Sequence, residues 1–273
     1  MSDIKNFMGW DTPGVALITG ASSGMGAEFA HQLAAQGFNT ILVARRQERL
    51  DDLASSLVND FSGNHEVLVA DLSTYAGIDT VKQRIVATSN LNVLVNNAGF
   101  TTVGKFKDVP LQLQLDMINV HILATVQLTK AALPSMVDRK RGVIINVASL
   151  AAFMFQEGSV MYCATKTFLR SFSEALAMEL RGTKVHVQAL CPGYTRTELF
   201  ETEYYKSMGF DASTIVDEKW MTSMEVVKTS LDAFQSKAVT VVPGTQNEET
   251  AKNSIKKQIN DWERASKKKR SLE

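Results

Sequence analysis

Tyr162 and Lys166, in Tyr162-Cys163-Ala164-Thr165-Lys166, are the residues of this sequence best placed for proton chemistry. Side chains four positions apart on a helix share one face, so a helix here brings a phenol and an ammonium together. A free tyrosine titrates near pH 10 and moves protons slowly at neutrality. A neighbouring cation favours the phenolate and lowers that pKa toward the range where acid–base catalysis is efficient. The spacing alone recurs by chance on surface helices. Ser149 strengthens it: it follows the β-branched run ending Asn146-Val147-Ala148, where open α/β sheets gather their ligand-binding groups.

A second constellation binds rather than reacts. Thr19-Gly20-Ala21-Ser22-Ser23-Gly24-Met25-Gly26 leaves a β-branched run and opens a helical pattern. Gly20 permits a tight turn, Gly24 lets backbone approach a pyrophosphate, and Gly26 lets the helix pack close to its strand. The helix start, with Ser22, Ser23 and Met25, offers free N–H groups and a positive dipole end to the phosphates. In dinucleotide folds an acid about 20 residues later holds the ribose hydroxyls. That position is Ala44 here, followed by Arg45 and Arg46. A guanidinium suits a 2′-phosphate, so the reading is NADP(H), with Arg45 favoured by position; two solvated arginines are the plainer alternative.

The elements that must position these groups alternate. Strands are expected at Val15–Thr19, Thr40–Ala44, Glu66–Ala70, Val93–Asn96, Gly142–Val147, Lys184–Leu190 and Val239–Val242. Helices are expected at Met25–Gln36, Arg46–Asn59, Thr74–Thr88, Leu111–Val137, Val160–Arg181 and Ser223–Ser236, with Pro134 kinking or ending the fourth. This is an α/β pattern: a Rossmann-type doubly wound domain of about seven parallel strands, with helices on both faces. All of residues 1–273 are assigned to one domain, with its core at about 13–245. The segment at about 198–222 reads as an insertion acting as a substrate lid, and 246–273 as a polar helix and tail. Phe153, Phe155, Phe200, Tyr204, Tyr205, Met208, Phe210, Trp220 and Met221 fit either an apolar substrate wall, or a lid packing its own hydrophobes or an oligomer contact.

Composition excludes other classes. Basic and acidic residues balance at 29 each, so no general field favours nucleic acid, and Lys267–Arg270 reads as a solvated tail. No apolar run reaches the about 18 residues of a membrane span, and no secretory signal opens the chain. With two cysteines, a reducing cytoplasm is expected. His31, His65, His121 and His186 are scattered, so no metal site is expected. His121 reads as packing or surface, and Cys163 and Cys191 as packing.

The glycine spacing, Asn96-Asn97-Ala98-Gly99, Ser149, Tyr162 and Lys166 occur in one order from about Val15 to Thr197, and there the chain resembles the short-chain dehydrogenase/reductase family. Ala148 departs from it, standing where many relatives carry serine. The resemblance implies that Ser149 polarises a substrate oxygen and Tyr162 exchanges its proton. Lys166 would lower the tyrosine pKa and grip the nicotinamide ribose. Asn119 would complete the set through a local helix irregularity whose carbonyl holds a water. Asp71, with Leu72, would face the adenine, helix capping being its rival role. Asn97 would bridge strand ends while Ala98 and Gly99 leave room for adenosine. Pro192, Gly193, Thr195 and Thr197 would hold the nicotinamide carboxamide. The implied activity is NADP(H)-dependent hydride transfer between nicotinamide and a small-molecule carbonyl or secondary alcohol. A specialised 3-oxoacyl or steroid-type ketone reductase and a non-catalytic NADP(H) sensor are the alternatives. A homodimer or homotetramer through the two long helices is implied by analogy.

Overall fold

Alternation of apolar side chains along the strands sends them to opposite faces, and each face is roofed by helices. The computed structural model describes residues 8–198 and 212–270. Its strands are β1 (Val15–Thr19), β2 (Asn39–Ala44), β3 (His65–Val69), β4 (Leu91–Asn96), β5 (Gly142–Val147) and β6 (Val185–Leu190). Two short strands, β7 (Thr195–Arg196) and β8 (Met221–Thr222), pair with each other, and β9 (Thr240–Val241) joins the main sheet. That sheet has seven parallel strands in the order β3-β2-β1-β4-β5-β6-β9. The fold is thus the doubly wound, Rossmann-like arrangement expected.

On one face Ile18, Leu42, Val95 and Ile145 pack under α1 (Gly24–Ala34), α2 (Gln47–Asp60) and α7 (Ser223–Asp232). On the other, Leu17, Ile41, Leu94 and Ile144 meet α3 (Tyr75–Val86), α5 (Thr125–Asp138) and α6 (Val160–Glu179). Leu17 and Ile18 are adjacent in sequence, fully buried, and lie in different cores. Each such side chain contributes about 1.5–3 kcal/mol of burial free energy.

The stretch expected as one helix from Leu111 to Val137 is continuous in space but not uniform. α4 (Leu111–Ile118) gives way to a π-helical segment, Asn119–Ala124, before α5 resumes. Pro134 does not end the helix, which runs on to Asp138. Packing of Leu128, Ala132 and Met136 into the core holds α5 together despite the missing N–H. The last helix, α8 (Thr245–Arg270), begins beside Gly193 and crosses the short helical turn Leu150–Phe153. Among the described residues no helix is long and apolar enough to cross a membrane.

The chain runs outward from β1 to β3 and then returns to place β4 beside β1 on the other side. The loops leaving β1 and β4 therefore diverge, opening a cleft at the strands' C-terminal ends.

Candidate active site

The cleft has two compartments. The larger, about 530 Å3, is lined by Gly20, Ser22, Ser23, Gly24, Met25, Arg45, Arg46, Asp71, Leu72, Asn97, Ala98, Gly99 and Thr197, all sequence-predicted. The smaller, about 100 Å3, is lined by Ser149, Tyr162, Lys166, Pro192, Gly193 and Thr195. Met25, Asn97, Gly99, Phe100 and Thr197 border both, so the two are continuous.

The turn after β1 is built as the sequence required. Gly20 and Gly24 have φ of +67° and +55°, which side-chain-bearing residues rarely adopt. Gly26 lies beneath the cavity, where a side chain would collide with the Gly20 carbonyl and the Asn97 amide. Ser23 stands at the N-cap of α1 without making a side-chain cap bond, whereas Thr74 and Thr222 do cap α3 and α7. The start of α1 thus keeps its donors for a ligand. Asn97 ties the neighbouring strand end: its Nδ2 donates to the carbonyls of Thr19 (2.8 Å) and Gly20 (3.3 Å). Thr19 Oγ1 in turn accepts the N–H groups of Asn97 (2.9 Å) and Ala98 (3.0 Å).

Arg46, not Arg45, is the arginine that reaches this turn. Its Nη2 donates to the hydroxyls of Ser22 and Ser23, both at 2.9 Å. Arg45 is exposed on the cavity rim. Asp71 Oδ1 accepts the N–H (2.9 Å) and hydroxyl (2.8 Å) of Ser73, so its carboxylate also secures the turn before α3. The N-cap itself is Thr74.

In the smaller compartment Ser149, Tyr162 and Lys166 converge. Ser149 follows β5, and Tyr162 and Lys166 share one face of α6. Lys166 is buried, its Nζ donating to the Val147 carbonyl at 2.8 Å and lying 5.7 Å from the Tyr162 ring centroid. Burial brings its pKa down to about 7. Burial likewise raises the Tyr162 pKa, and a hydrogen bond from Ser149 opposes that rise. Burial of the phenol thus acts against the acidification expected from the lysine. Desolvation penalises both charges, and one N–H of the ammonium donates to the Val147 carbonyl.

His121, expected as packing or surface, is buried at the centre of this cluster. Its Nε2 accepts the Phe100 N–H at 3.2 Å, which leaves the proton on Nδ1 to be donated to Thr165 Oγ1 at 2.9 Å. Thr165 Oγ1 donates in turn to the Tyr162 carbonyl at 3.1 Å. Burial, then the nearby Lys166 charge, holds His121 well below the usual histidine range, so it is neutral.

Asn119 is the predicted residue whose side chain is not brought into the cluster. Its Nδ2 donates to the Ser73 carbonyl at 2.8 Å, and it lines neither compartment. It does open the π-helical segment, the kind of irregularity the resemblance implied. A polar amide inside a helix was the only hint in the sequence.

A family model described as short chain dehydrogenase matches residues 14–207. The chain belongs to this family. A very-long-chain 3-oxoacyl-CoA reductase of Pyrenophora tritici-repentis is 36% identical over 180 residues, which are 64% of this chain and 53% of the relative. The match thus spans about half that curated relative's length. Among solved structures, a short-chain dehydrogenase from Sphingobium yanoikuyae in complex with NADPH has a TM-score of 0.80 and 31% identity, covering 91% of this chain and 95% of that one. A bulky-bulky ketone specific alcohol dehydrogenase from Comamonas testosteroni has a TM-score of 0.76 and 28% identity, covering 94% of each chain.

Short-chain dehydrogenases as a family are oxidoreductases that use a nicotinamide cofactor. The cavity volume, the glycine turn with its uncapped helix start and the basic rim fit such a dinucleotide. Phe153 is buried beneath Arg170, whose guanidinium lies 4.5 Å from its ring centroid, and Phe155 is 85% exposed. Trp220 packs on Tyr194 at 5.5 Å. None of these three, nor Met221, lines either compartment. Phe200, Tyr204, Tyr205, Met208 and Phe210, with most of the expected lid, lie outside the described residues. The sequence reading missed Glu198, Phe100, Asp116 and Val120, which line the large compartment. Glu198 directly follows the Thr195–Thr197 turn and Val120 follows Asn119, so adjacency to predicted residues was the available signal.

Proposed function

We propose that this dehydrogenase transfers hydride between NADP(H) and a ketone or secondary alcohol, with Tyr162 as the proton donor or acceptor. The convergence of Ser149, Tyr162 and Lys166 at the inner end of the dinucleotide cleft carries the reading. Bound nicotinamide supplies the hydride chemistry, and the protein supplies position and electrostatics. In reduction, Ser149 hydrogen bonds the substrate oxygen, and the Tyr162 hydroxyl gives that oxygen its proton as the carbonyl carbon gains hydride. The phenol is protonated at neutral pH, the form a proton donor needs when the carbonyl is reduced. Lys166 and the neutral His121–Thr165 pair hold the tyrosine's surroundings in place.

The 2′-phosphorylated cofactor is supported by Ala44 at the acid position and by Arg46 over the glycine turn. The Sphingobium structure was solved with NADPH. A bulky ketone is supported by the substrates named for the Comamonas and Pyrenophora relatives. The test is a panel of aryl ketones, 3-oxoacyl thioesters, steroid ketones and small aldehydes, monitored by NADPH absorbance. Turnover of bulky ketones is expected to exceed that of small aldehydes. Turnover of nothing, with tight NADPH binding retained, would replace this reading with the sensor reading.

A further inference from the structure

Beside the glycine turn, two cations already hold an anion supplied by the protein. Arg46 Nη1 donates to Glu198 Oε2 at 2.8 Å, and Arg49 Nη1 reaches Glu198 Oε1 at 3.2 Å. Each carboxylate oxygen thus has its own guanidinium. The same Arg46 binds Ser22 and Ser23 through its other nitrogens. Hydrogen bonding to Arg46 keeps the Glu198 carboxyl below the usual carboxylate range, so it is ionised. The three charged residues come from the N-cap and first turn of α2 and from the segment just after β7. Glu198 lines the large compartment together with Ser22, Ser23 and Arg46.

An ion pair on an outer surface would stitch two segments together and do little else. This one lines the compartment that the proposed cofactor would fill, beside the glycine turn. A phosphate monoester and a carboxylate ask the same thing of a guanidinium: two oxygens facing two N–H groups. We infer that Glu198 is a specificity-determining residue that competes with the cofactor's 2′-phosphate for Arg46 and Arg49. This rests on the NADP(H) reading above. If the phosphate displaces Glu198, the carboxylate must give up both guanidiniums. If Glu198 stays, two anions crowd one cationic pair. In either case Glu198 restrains how strongly the site favours the phosphorylated dinucleotide.

Two nucleotides that differ only in that phosphate isolate the effect: adenosine 2′,5′-bisphosphate and adenosine 5′-monophosphate. Their affinities are measured by calorimetry on the wild type and on Glu198→Gln, which keeps size and one acceptor oxygen but removes the charge. Glu198→Gln is expected to tighten the bisphosphate on the order of tenfold and to move the monophosphate by less than about twofold. Arg49→Ala is expected to weaken the bisphosphate selectively. A wild type that prefers the bisphosphate, with a Glu198→Gln variant that binds it no better or worse, overturns the competition and leaves the NADP(H) reading standing. If both proteins are indifferent to the 2′-phosphate, both readings fall. A wild type that is indifferent and a variant that gains the preference support the competition in its strongest form.

Discussion

The two ends of the cleft solve opposite electrostatic problems. At the rim, Arg46, Arg49 and Glu198 keep side-chain exposures of 47%, 58% and 38%, and their charges persist because water shares the load. At the inner end Lys166 and His121 are buried and Tyr162 is half-buried, and all three shift toward their neutral forms. Charge at the rim selects a ligand by its phosphate. Neutrality inside keeps a proton available to be given. Asn97, which ties the end of β4 to the β1 turn through Thr19, borders both ends of this cleft.

The strongest break of this contrast is at the dry end. Tyr162→Phe removes the proton donor but keeps the ring, so turnover should fall by about 10^2–10^4-fold while cofactor affinity and unfolding midpoint stay near wild type. Near-normal turnover in a folded variant would end the proposed chemistry. At the rim the expected effects are smaller and depend on salt. Arg46→Ala should weaken NADPH by roughly tenfold and NADH far less, and the gap should shrink as ionic strength rises. Arg45→Ala in the same titration should have the lesser effect, since Arg45 does not reach the serines. Equal losses for both cofactors would show that the arginine acts on the fold and not on the phosphate.

The mildest test sharpens the meaning of burial. The folded pKa of Lys166, about 7, lies below its unfolded value near 10.4, so between these the unfolded chain holds more protons. Stability therefore rises with pH across that window. Lys166→Met abolishes this contribution. From pH 7 to 9, urea denaturation without cofactor should show wild type gaining on the variant by roughly 1 kcal/mol per pH unit. Parallel pH profiles would mean that the ammonium is hydrated in the native state.

Strand periodicity, the glycine turn and the Tyr162–Lys166 spacing were readable along the chain because each is a local relation. A side chain's face on a strand or helix follows from its position and the repeat, and a left-handed turn demands glycine wherever it falls. These relations carried the sheet, the cleft's position and most of its lining. They could not say whether Arg45 or Arg46 turns inward, because that depends on how α2 meets the β1 turn. Nor could they pair Arg46 with Glu198, 152 residues away. The charge states of Tyr162, Lys166 and His121 likewise waited on folding. A pKa responds to the water removed and the partners gathered in three dimensions, and neither is written in spacing.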